Sequence, residues 1–118
     1  MSRSDAFHIR LGEAAALIES GNLTFATRRA ETVERLDSGA PIREADVLRN
    51  RRDVAPAFQL IRKGVEGLVA LSGARTVYDE DKLQQILRDL TAISTHIIVN
   101  EEAALVPYGR FMMVGITT

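Results

Sequence analysis

Apolar residues at Leu83, Ile86, Leu87, Leu90, Ile93, Ile97 and Ile98 recur every three or four positions. That spacing gathers side chains on one face of an α-helix and would scatter them over both faces of a strand. The same period runs through most of the chain. Phe7, Leu11, Ala14, Ile18, Phe25, Thr32 and Leu36 mark a first helix, with Ser4-Asp5 as its expected cap, and Ser38-Gly39-Ala40-Pro41 stops it with a glycine and a proline. A second stripe follows at Val47, Leu48, Val54, Phe58, Ile61, Val65, Leu68 and Val69. Pro56 is expected to bend or split that helix, and Gly73 to end it. Asp81 is the expected cap of the third helix. Asn100, followed by Glu101 and Glu102, opens a fourth through Ala104, Leu105, Tyr108, Met112 and Gly115, with a kink expected at Pro107.

No alternating apolar run with turn dipeptides appears, although Ile97 to Val99 is β-branched. The expected fold is therefore all-α. Helices at roughly 5–37, 43–72, 81–99 and 101–116 make a single domain over 1–118. Connections of about four to eight residues join antiparallel neighbours, which gives an up-down-up-down four-helix bundle. The first two helices, at 1.5 Å per residue, are each expected to be about 45 Å long. Leu23, Ala26, Ala30 and Val33 lie off the main stripe of the first helix. They are read either as a second face for self-association or as scattered surface residues. No internal repeat is evident.

With 118 residues, 46% apolar and 26% charged, the chain has the makings of one modest core. A net charge of −1 removes the general attraction to phosphate backbones, so a nucleic-acid partner is not expected. The absence of cysteine excludes disulfides, thiolate metal sites and cysteine nucleophiles, and fits a cytoplasmic location. Neither a signal peptide nor a membrane span is expected.

Candidate chemistry is sparse. His8 and His96 are the only imidazoles and share no ligand spacing, so no metal site is expected. Glu101 and Glu102 complement a helix N-terminus rather than forming a carboxylate pair. Gly73-Ala74 reads on pattern alone as a helix end. His96 lies beside the Ile93/Ile97 face, where a half-buried imidazole would titrate near neutrality; on residues alone it is read as a packing histidine. Arg88 and Asp89 are read as a surface pair or an anion contact, and Arg49, Arg51, Arg52 and Asp53 as a solvated face.

Several segments in order carry a family resemblance. They are Leu11-Gly12-Glu13-Ala14-Ala15-Ala16, Arg51-Arg52-Asp53, Ser72-Gly73-Ala74-Arg75-Thr76-Val77-Tyr78, Leu83-Gln84-Gln85-Ile86-Leu87-Arg88-Asp89, Thr95-His96-Ile97-Ile98-Val99-Asn100 and Tyr108-Gly109-Arg110. Over nearly its whole length the chain resembles the C-terminal helical domain of acyl-CoA dehydrogenase-like flavoproteins, in the branch of two-component flavin-dependent monooxygenases that hydroxylate aromatic compounds. The most specific element is Leu83-Gln84 and Arg88-Asp89 with His96 eight residues after the arginine. Ala74, Lys82, Gln85 and Leu87 depart from the family pattern.

The resemblance implies a bundle that builds a homo-oligomer, dimer or tetramer, and closes part of a flavin site for FAD or reduced FMN. Gly73, Ala74 and Arg88 would contact the cofactor, and His96 would donate or accept a proton beside the isoalloxazine. The family's N-terminal and middle domains are not in this sequence, so a complete catalytic site is not expected without them or a partner chain carrying them. The alternative is a cofactor-free helical oligomerisation module.

Overall fold

The computed structural model describes residues 1–72, 80–93 and 100–117. Four helices account for them: α1 (Arg3–Ser38), α2 (Glu44–Ser72), α3 (Glu80–Ile93) and α4 (Glu101–Thr117), with no strand among the described residues. The all-α bundle expected from the periodicity is the observed fold. The 94–99 end of the expected third helix and the stop at Gly73 fall on residues outside those described.

The cap of α1 is Ser2 and not Ser4-Asp5. Ser2 Oγ accepts from the Asp5 N–H at 3.0 Å and Asp5 Oδ2 accepts from the Ser2 N–H at 3.2 Å, so two otherwise orphaned donors are satisfied reciprocally. Gly39 ends the helix in the left-handed region at φ 75°, a conformation that favours glycine. Its N–H reaches Leu36 O and the Ala40 N–H reaches Arg35 O, closing the turn in a Schellman pattern. Asn100 caps α4 as expected, its Oδ1 accepting from the Ala103 N–H at 2.9 Å.

Proline splits neither helix that contains it: α2 runs through Pro56 and α4 through Pro107. Proline removes one backbone donor, and at Pro56 the flanking Ala55 and Ala57 are both buried, so packing on either side holds the helix together.

α1 and α2 form a long antiparallel hairpin, and α2 also packs against α3 and α4. Thirty-six residues at 1.5 Å each make α1 about 54 Å long, which accounts for the 55 Å long axis of the molecule. The radius of gyration, 17.9 Å, exceeds the roughly 13 Å of a compact chain of this length.

The hairpin is keyed by one spacing that both helices share. Ala14, Ile18 and Gly21 in α1 have the same spacing as Ala57, Ile61 and Gly64 in α2. A Cβ on Gly21 would lie 2.5 Å from Ile61 Cγ1 and 2.6 Å from the Ala57 carbonyl oxygen. Reciprocally, a Cβ on Gly64 would lie 2.5 Å from Ile18 Cγ1 and 2.8 Å from the Ala14 carbonyl oxygen. Each isoleucine fills the notch left by the other helix's glycine. The shared spacing lets the two backbones approach closely.

The buried apolar residues are Ala14, Ala55, Ala57, Phe58, Val65, Leu71 and Ala104. Four of these seven are alanines, so the core among the described residues is thin.

Candidate functional site

Of the four residues expected at a site, Gly73, Ala74 and His96 lie outside the described residues. Arg88 is exposed on α3. Its Nη2 donates to Gln85 Oε1 at 2.8 Å, and Gln85 Nε2 donates to Asp89 Oδ1 at 2.9 Å, so the three side chains are ordered along one helix. One of five guanidinium N–H donors is used by Gln85, and the others are the kind of fork that meets an anionic phosphate.

The most organised polar cluster lies elsewhere, between α1 and α2. Arg28 Nε lies 3.3 Å from Asp53 Oδ2, Glu31 Oε2 3.2 Å from Arg49 Nη2, and Arg35 Nε 3.4 Å from Asp46 Oδ2. Asn50 Nδ2 donates to Thr32 Oγ1 at 3.4 Å. Asp46 is 5% exposed and takes further contacts from Arg43 and Arg49. Arg52 grips Asp53 with two hydrogen bonds, Nε to Oδ1 at 2.7 Å and Nη2 to Oδ2 at 2.9 Å, while its guanidinium lies 4.5 Å from the Tyr108 ring centroid on α4.

Arg49, Arg52 and Asp53 were expected on a solvated face. They are part-buried in the helix interface, and only Arg51 of that group is exposed. The signal was present in the charge order: each cross-helix pair lies at a nearly equal distance along the chain from Ala40-Pro41, where the hairpin turns. Reading Arg28, Glu31 and Arg35 against Asp53, Arg49 and Asp46 in that register would have found the network.

The cluster lines an open cleft of about 450 Å³ bounded by Glu31, Thr32, Glu34, Arg35, Asp46 and Arg49 among others. Two carboxylates of the network, Asp46 and Asp53, are poor proton acceptors. The side chain of Arg43, and then its backbone N–H, hold Asp46 at about 2 against the opposing effect of burial, with further help from the charges of Arg35 and Arg43. Asp53 is lowered too, chiefly by its hydrogen bonds from Arg52. A carboxylate held that far below neutrality is a weak base at neutral pH. Among the described residues no group of three acidic or histidine side chains could hold a metal ion. The network is a clamp for the hairpin.

The depressed value has a consequence for acid stability. The folded value, about 2, is below the ordinary 3.8, so the contribution of Asp46 is fully present above about pH 4 and is lost as pH falls through about 2. Asp46→Asn is expected to be less stable than the parent at pH 6, with the difference shrinking as both are taken from pH 4 to pH 2. Urea unfolding followed by circular dichroism across that range checks it; a difference independent of pH would show that the ionised carboxylate is not what matters.

The family model described as acyl-CoA dehydrogenase, C-terminal domain, matches residues 1–101. Neither the curated proteins nor the solved structures provide a match. No helix among the described residues is long and apolar enough to cross a membrane.

Proposed function

Because the chain belongs to the acyl-CoA dehydrogenase C-terminal domain family, we propose that it supplies an oligomer interface and one wall of a flavin site, and that it belongs to the monooxygenase branch. The match over 1–101 carries this reading, since it spans Gly73, Ala74, Arg88 and His96. Arg88 suits a flavin phosphate in donor chemistry and exposure. Flavin, when bound, would supply the redox chemistry. His96 would hold or release a proton at its ring nitrogen, and Gly73 and Ala74 would let backbone approach the cofactor.

The interface half of the proposal has its own support. Leu23 is 58% exposed and Val33 48% exposed on α1, with Ala26 and Ala30 exposed between them. Such a stripe on a helix whose other face is packed on α2 fits burial against a second copy of the chain. The thin alanine core points the same way.

Titration of the purified chain with FAD and with reduced FMN, by fluorescence and calorimetry, tests the flavin half, with light scattering on the same samples. Saturable binding in the micromolar range, weakened by Arg88→Ala or His96→Ala, is expected. A colourless oligomer indifferent to flavin would leave the cofactor-free oligomerisation module as the correct reading. A monomer indifferent to flavin would sink both. For the interface, Leu23→Lys combined with Val33→Lys is expected to give a helical monomer; an unchanged oligomer would move the interface off α1.

A further inference from the structure

We propose that α4 is a strap that opens separately from the α1–α2 hairpin and is latched to it through Tyr108. α4 meets the hairpin chiefly along α2. Only Ala104 of its described side chains is buried, with Ala103, Pro107 and Tyr108 part-buried, while Leu105, Val106, Phe111 and Met112 are exposed. Little apolar area therefore holds α4 down, whereas α1 and α2 are interlocked by the reciprocal glycine notches. Segments with few buried contacts open at lower free energy than the core they rest on.

The latch is built from both hairpin helices. The Tyr108 ring faces the Arg52 guanidinium at 4.5 Å. Arg52 cannot swing freely, because Asp53 holds it with two hydrogen bonds, and Asp53 is itself joined to Arg28 of α1. A cation fixed from behind and held over a ring loses less freedom on making the contact than a mobile one. Opening of α4 breaks this stack and bares the side of α2 that carries Arg52. The proposal is independent of whether the chain binds flavin.

Native-state hydrogen exchange of the full chain, read by mass spectrometry, tests it. In the parent protein the amides of α4 are expected to exchange by an opening that leaves the centres of α1 and α2 protected. Tyr108→Leu is expected to speed exchange in α4 about tenfold with the hairpin centres unchanged, and Arg52→Met to speed it by a similar factor. Tyr108→Phe keeps the ring but loses the hydroxyl, which also interacts with Arg52, and is expected to fall between the parent and Tyr108→Leu. The proposal is overturned if α4 exchanges in step with the hairpin in the parent, if Tyr108→Leu accelerates all helices alike, or if Tyr108→Leu leaves α4 exchange unchanged.

Discussion

Gly64→Ala is expected to lower stability by about 1–3 kcal/mol, and Gly21→Ala by a similar amount, although alanine is the better helix former. On a free helix surface the same change raises stability by about 1 kcal/mol. The sign reverses because a new methyl at Gly64 meets Ile18 Cγ1 at 2.5 Å and the Ala14 carbonyl oxygen at 2.8 Å. An isoleucine branch can turn, but a backbone oxygen moves only with its helix, so relief requires α1 and α2 to separate along much of their length. Gly109 and Gly12 are the internal controls, since a Cβ at either has nothing within 4 Å. Urea unfolding at a fixed protein concentration compares the four alanine variants. If Gly64→Ala and Gly109→Ala shift the midpoint in the same direction, the close approach of the two helices is not what holds the hairpin.

Phe58→Ala is expected to cost still more, roughly 3–5 kcal/mol, because it removes the only aromatic side chain among the buried apolar residues described. The surrounding core is mostly alanine, valine and leucine, so little side-chain volume is at hand to refill the space. Against a total stability of about 5–15 kcal/mol for a domain, that loss is a large share. The melting temperature is expected to fall by roughly 10–20 °C, whereas Phe58→Leu should lose about 1 kcal/mol. Calorimetry of the two variants checks the ratio. A drop of only a few degrees for Phe58→Ala would mean that the bundle collapses into the gap, and that its core is less rigid than its close helix contacts imply.

The helices were legible in the sequence because their periodicity is a direct record of which side chains are withdrawn from water. The turn at Ser38 to Pro41 was legible for the same kind of reason, since glycine and proline restrict backbone angles locally. What the sequence hid is cross-chain register. Arg49 and Arg52 looked solvated because Glu31 on α1 and Tyr108 on α4 are remote in sequence, and the notches at Gly21 and Gly64 went unread because a missing side chain leaves no pattern. The cap at Ser2 rather than Ser4-Asp5 was hidden more subtly: Asp5 proved to be the reciprocal member of a box whose first serine lies three residues earlier. For the candidate site, Arg88 was placed on its helix by periodicity, while the roles of Gly73, Ala74 and His96 rest on family resemblance.

The hairpin turn at Gly39 also sets an order in time. Arg35 and Asp46 are the cross-helix pair nearest the turn, so they close the shortest loop, whereas Ile18 meeting Gly64 must close one several times longer. Once the near pair is made, each pair further out adds only a small increment of loop, and closure runs outward like a zip. Changes at the clamp should then slow refolding, and changes at the glycine notches should mainly hasten unfolding.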